Sequence, residues 1–230
     1  MDWMSSFLAF PVDEIPFIFL VLLLSFAVHE FAHAVLADKF GDPTPRSMGR
    51  VTLNPRVHID WLGMIFFLVI GVGWSKPTLV NRAKFSNPRL MGLIVSFAGP
   101  LSNLVLGFLS LALFLAMQQF GWLEGMNAGV QAAILTFMRW MVVQNVFLFI
   151  LNLIPFPALD GYRILEDLLP RPWAQKLHQY QQWLFYAVLL MFFIPPLRAV
   201  TLGPIFALQG DILALFTIIL APIFGVPVKL

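Results

Sequence analysis

Long apolar runs separated by short polar ones set the pattern of this chain. Ile15 to Leu36 is the first run, long enough to cross a bilayer at about 20 residues per span. Leu90 to Met117 predicts a second span and carries no charged residue. Gly129 to Ile154 predicts a third, with Arg139, Gln144, Asn145 and Asn152 inside it. Trp183–Ile194, closed by Pro195-Pro196, and Leu202–Val226, which contains Gly210-Asp211, read most simply as two more spans, with two half-spans or a helical hairpin as the alternatives. Trp61 to Gly73 is apolar but too short to cross, which predicts a re-entrant segment. The β-branched strings GRVTLN at 49–54 and KPTLVN at 76–81 predict short strands, paired as a small sheet at the membrane surface. GDPTP at 41–45 marks a turn. The fold class expected is therefore an all-α polytopic membrane protein. It would have five to six transmembrane helices, a short re-entrant segment and a small surface β-sheet.

The charges orient this pattern. Lys39, Arg46, Arg50 and Arg56 precede the short apolar piece, and Lys76, Arg82, Lys84 and Arg89 follow it. Both flanks are basic, so the positive-inside rule places both in the cytoplasm and makes the piece enter and return. Arg163, Arg171 and Lys176 put Pro155–Gln182 on the same side. The 118–127 loop has Glu124 and no base, and the first fourteen residues have Asp2, Asp13 and Glu14 and no base, so both are expected outside. Met1-Asp2-Trp3 lacks a basic n-region, which argues against a cleaved signal peptide. Composition agrees: 60% of the 230 residues are hydrophobic and 11% charged, against about 25% charged in soluble domains. The formal charge of +2 has no basic run behind it, so no nucleic-acid partner is expected. The absence of cysteine excludes disulfides, thiolate zinc sites and cysteine nucleophiles.

The chemistry lies in His29-Glu30-Phe31-Ala32-His33. Residues i and i+4 share a helix face, so the two imidazoles can bind one zinc ion and Glu30 can reach the water beside it. Each charge at mid-membrane costs about 2.5–3.5 kcal/mol on insertion scales, so three ionisable groups in five positions point to a function. A hydrolytic zinc site takes a third protein ligand. His58, Asp60, Asp160, Glu166, Asp167, His178 and Asp211 are the candidates. Asp160 follows the cytoplasmic end of the Gly129–Ile154 span, at the depth of His29 and His33. Pro155, Pro157 and Gly161 break the helix around it, and irregular backbone at membrane depth lines cavities.

These strings resemble the site-2 protease family of intramembrane zinc metalloproteases. The resemblance rests on HEFAH at 29–33, AGPLSN at 98–103 and NLIPFPALDG at 152–161, and covers Ile15 to Leu165. LNPRVHID at 53–60 resembles the compact branch, and no segment is long enough for the PDZ or CBS domain of larger relatives. The resemblance implies zinc held by His29, His33 and Asp160, Glu30 as general base, and Asn103 and Asn152 lining the site. It also implies one protease domain over 1–230, with a catalytic core at 15–165 and C-terminal helices at 175–228. The substrate would be a transmembrane segment of another protein. The location would be a prokaryotic cell membrane, with the active site toward the cytoplasm. Tyr162 stands where a small residue is expected, and Trp61 where proline is common.

Other polar residues read as structural. His58 is expected to find a loop hydrogen bond, Asp60 and Asp211 to cap helices, Arg139 to form an ion pair and His178 to lie on the surface. The competing function is a non-proteolytic membrane zinc-binding protein or transporter using the same histidines and aspartate. Glu30 discriminates, because a transporter needs no general base beside the first histidine. A catalytically idle module that sequesters transmembrane partners fits the intact HExxH and Asp-Gly poorly.

Overall fold

The computed structural model describes residues 8–71 and 73–225. The expected uncleaved start at Met1-Asp2-Trp3, with Asp2, and the end of the Leu202–Val226 run lie outside them. Among the described residues four helices are long and apolar enough to cross a membrane: α1 (Ile15–Lys39), α4 (Pro88–Gln119), α5 (Ala128–Leu153) and α9 (Pro195–Leu220). At 1.5 Å per residue the shortest, α1, is about 38 Å long. Leu20, Leu24, Val105 and Leu109 on these helices are exposed, while Ser25, His29, Glu30, His33, Asn103, Gln144 and Asn145 are buried. That inversion, polar inside and aliphatic outside, suits a chain whose solvent is hydrocarbon.

The centre of the fold is α1, α4 and α5. Ile18, Leu22 and Phe26 of α1 pack with Leu148 of α5 and with Phe67 of α3 (Trp61–Ile70). Helix α3 is ten residues, about 15 Å, or half a crossing. Asp60 caps it by accepting from the Gly63 amide at 2.9 Å, and Gly71 ends it at φ 77°. The chain then returns alongside: a Cβ on Gly63 would lie 2.1 Å from the Trp74 carbonyl oxygen. The Lys76 amide donates to the His58 carbonyl at 2.8 Å, closing the excursion where it began. Trp61, the departure noted in the sequence, opens α3 and is exposed.

The expected surface sheet does not form; no strand occurs among the described residues. The amides and carbonyls of 49–58 and 76–81 bond to side chains and to nearby turns instead of a ladder. Buried Arg50 donates to the carbonyls of Val57 and, at 3.2 Å, Lys76. The Thr78 amide donates to Glu30 and the Asn81 amide to Asp42. Asp42 also accepts from Thr44, which starts the short helix α2 (Thr44–Ser47) after the expected turn.

The C-terminal third also differs from expectation. Pro195-Pro196 starts α9, where the missing proline N–H costs nothing. Asp211 therefore lies within α9 and caps nothing. Helix α8 (Gln181–Phe193) has 13 residues, so among the described residues four helices reach span length, beside the five to six spans expected. Met191 and Phe192 of α8 join Ile205 and Phe206 of α9 against Leu151 of α5 and Ile154, which follows it. Two short helices, α6 (Asp160–Leu168) and α7 (Arg171–Gln179), bridge α5 to α8. Tyr162 is buried between them, its hydroxyl donating to the Leu177 carbonyl at 3.3 Å.

Candidate metal centre

Helix α1 presents His29, Glu30 and His33 as buried residues within two turns. Each imidazole is aimed by a partner on α4. His33 Nδ1 donates to the Val95 carbonyl at 2.7 Å. His29 Nδ1 donates to Asn103 Oδ1 at 2.7 Å. The Asn103 amide nitrogen donates to the Ser25 carbonyl and, at 2.9 Å, to Asn145 Oδ1, so its oxygen is the atom left to face His29. Asn145 donates in turn to the Met141 carbonyl. These bonds commit both Nδ1 atoms as donors and leave both Nε2 lone pairs free.

Asp160 completes the set from the other side. It is the first residue of α6, where a carboxylate also meets the positive end of the helix. The prolines at 155 and 157 separate α5 from α6, and Gly161 lets α6 fold back. A Cβ there would lie 2.3 Å from the Leu153 carbonyl oxygen.

The three ligand atoms form a nearly equilateral triangle. Asp160 Oδ2 is 3.0 Å from His29 Nε2 and 3.1 Å from His33 Nε2, and the two Nε2 atoms are 3.1 Å apart. A tetrahedral zinc ion with bonds of about 2.0–2.1 Å needs ligand edges of about 3.3–3.4 Å, so the donors fit it with shifts of about 0.3 Å. Two nitrogens and one carboxylate oxygen are also a zinc donor set. Gly99 of α4 makes room for it: a Cβ at that position would lie 2.3 Å from His33 Nε2 and 2.6 Å from His29 Nε2.

Glu30 faces the chain that returns from α3. Ser75 Oγ donates to Glu30 Oε1 at 2.6 Å and the Thr78 amide to Oε2 at 2.8 Å. Thr78 Oγ1 also donates to the Glu30 carbonyl. His29, Glu30, His33, Ser75, Asn152 and Asp160 line one cavity of about 380 Å³. Asn152 reaches it with its side chain and donates to the Leu148 carbonyl. Asn103 is fully buried behind His29, with its amide hydrogens directed to Ser25 and Asn145.

The other candidate ligands lie elsewhere. His58 Nε2 donates to the Thr52 carbonyl and Asp60 caps α3. Asp167 pairs with Arg82 at 2.6 Å, and Glu166 faces the exposed His178 at 4.0 Å. Arg139 pairs with Glu14 at 2.6 Å, and Glu14 also accepts from the Trp140 indole. Sequence reasoning passed over Ser75 and Thr78 because they are common residue types in a turn, and it quoted Gly99 only within AGPLSN, without a role. Only the polarity of Asn145 inside a span hinted at a role.

The chain matches the model of peptidase family M50 over residues 17–195. It is 42% identical to "Putative zinc metalloprotease YwhC" of Bacillus subtilis, covering 96% of this chain and all of that protein. It is 34% identical to "Putative zinc metalloprotease Rip2" of Mycobacterium tuberculosis, over 80% of this chain and 69% of the relative. Against the Rip2 protein of Mycolicibacterium smegmatis the identity is 29%, over 86% and 76%. No solved structure matches the chain. The chain belongs to peptidase family M50, the site-2 protease family, and is thereby a zinc metalloprotease of the membrane.

Proposed function

We propose that the chain hydrolyses peptide bonds within or next to the transmembrane helices of other membrane proteins, as in regulated intramembrane proteolysis. The observation that carries this reading is the convergence of His29, His33 and Asp160 beside Glu30, inside a bundle of apolar helices. We assign the protease domain to residues 1–230, with the site toward the cytoplasmic side of a prokaryotic cell membrane. The basic loops at 39–60 and 74–90 support that orientation.

His29, His33 and Asp160 would hold the zinc ion, which supplies Lewis acidity that brings the pKa of water to about 7 and polarises a carbonyl oxygen. Glu30 takes the proton of the attacking water on a carboxylate oxygen and passes it to the leaving amide nitrogen. Ser75 and the Thr78 amide hold that carboxylate in one rotamer and leave lone pairs for the proton. Asn103 orients His29. Asn152 has a second amide hydrogen to offer the scissile carbonyl as it becomes an oxyanion, a contribution of about 3 kcal/mol where such donors have been removed. A helix hides its amides in its own hydrogen bonds, so the substrate must unwind to enter the cavity.

Zinc content and cleavage of a transmembrane substrate by the purified protein test this. The wild type holds about one zinc per chain, the stoichiometry of a three-ligand site, and cuts. Glu30→Gln keeps zinc and loses turnover, and Asp160→Ala loses both. Wild-type cleavage by Glu30→Gln would overturn the assignment.

A further inference from the structure

Beside the cavity of the metal centre lies a second hollow of about 910 Å³, and the two share Val80, Arg82, Pro157 and Arg163 in their walls. Arg89 and Arg171 also line the second hollow, so four arginines face two carboxylates, Glu166 and Asp167. Asp167 is taken by Arg82, which also donates to Ser96 Oγ. Arg89 donates to the Leu169 carbonyl. Arg163 and Arg171 are exposed and engage no acceptor among the described residues. The hollow thus carries surplus positive charge on two guanidinium groups that are free to bind.

Resting on the protease reading, we propose that this hollow receives the substrate segment flanking the scissile bond on the arginine-bearing face. It selects for aspartate or glutamate there, with Arg163 and Arg171 as the charges that read them. Continuity carries the argument. Arg163 lies on α6, three residues after Asp160, and lines both hollows. Three residues on a helix rise about 4.5 Å, so an extended peptide leaving the ligand triangle along the shared wall passes the turn that carries Arg163. The hollow is charged, which suits a segment that has left the hydrocarbon and not an acyl chain. Guanidinium groups match carboxylates with two parallel hydrogen bonds. The general preference for arginine on one side of a membrane explains the sign of the charge. It does not explain its placement in a wall continuous with the metal centre.

The test uses the full chain in neutral detergent and two transmembrane peptides that differ only in the flank, one acidic and one with the matching amides. Binding is read by fluorescence anisotropy on Glu30→Gln, and cleavage on the wild type. The acidic peptide should bind about two- to thirtyfold tighter, the range two exposed ion pairs supply, and the advantage should shrink with salt. Arg163→Gln/Arg171→Gln should bring the ratio to one, Arg163→Lys/Arg171→Lys should keep part of it, and Arg163→Glu/Arg171→Glu should favour a lysine flank. Equal binding of the two peptides, or a preference untouched by the glutamine pair, overturns the proposal. So does a glutamine pair that weakens binding to vesicles of anionic phospholipid while leaving the peptide ratio intact, since the arginines then serve headgroups. A charge-dependent preference without any cleavage would sustain the hollow as a peptide site while defeating the protease reading.

Discussion

Replacing Gly99 by alanine adds one carbon at a crowded point, against the two imidazoles of the metal centre. That carbon would stand 2.3 Å from His33 Nε2, 2.6 Å from His33 Cε1 and 2.6 Å from His29 Nε2. Ordinary contact needs about 3.4 Å or more, so α4 or the two imidazoles must give way by about 1 Å. Overpacking of this kind costs about 1–3 kcal/mol of stability. The atoms struck are those that would bind zinc, and metal sites tolerate distance errors of only about 0.2 Å. The loss of affinity should therefore exceed the 10- to 100-fold typical of changes behind the ligands. Gly107→Ala, on the same helix, is the control. Its Cβ would lie 3.4 Å from Asn145 Cβ and Val146 Cγ2, an ordinary contact. Zinc per chain after gel filtration and chelator titration, with circular dichroism to follow the helices, reads the difference. Gly99→Ala should be zinc-poor and helical, and Gly107→Ala should match wild type. A full zinc complement and wild-type cleavage in Gly99→Ala would refute the close approach of α4 to the histidines.

Asn103→Ala frees His29 Nδ1 and strands the Asn145 oxygen. Zinc affinity should fall about 10- to 100-fold by chelator competition, and unchanged affinity would dismiss the orienting role. Ser75→Ala removes one hydrogen bond to a charged group, worth about 1.5–3 kcal/mol. We expect kcat to drop at least about tenfold with zinc content and KM unchanged; a fall in zinc content instead would place Ser75 in the metal site. Burial pushes the His58 imidazole below its ordinary value, the Thr52 carbonyl opposing and Arg50 adding to the shift. The unfolded chain then binds the extra proton first, so docking of the 49–60 loop is fully stable above about pH 6.5 and weakens as pH falls through that value. Protease nicking of the loop should rise from pH 7.5 to 5.5 in the wild type, and His58→Gln should flatten the profile; a flat wild-type profile refutes the linkage.

Much of the architecture was legible because bilayer crossing leaves a one-dimensional record. Runs near Ile15–Leu36, Leu90–Met117 and Gly129–Ile154 became α1, α4 and α5, since a span in hydrocarbon must be both helical and apolar. The short run at Trp61 became half-crossing α3 for the same reason of length. HEFAH placed two imidazoles on one helix face, a consequence of local geometry alone, and Asp160 stood out because proline and glycine announce a break. The surface sheet failed because β-branched content reports only a preference. Whether 76–81 pairs with another strand depended on distant groups, and the Glu30 and Asp42 carboxylates took its amides. The C-terminal boundary was not legible because Pro195-Pro196 reads equally as an end or a start, and α8 and α9 pack together through Met191, Phe192, Ile205 and Phe206. The sequence by itself thus determined the apolar spans and the chemistry of the histidine pair, which rest on composition and helical spacing. Only the tertiary structure decided the clearance Gly99 leaves, the hold of Ser75 and Thr78 on Glu30, and the arginine-lined hollow, because each depends on atoms brought together from segments far apart in the chain.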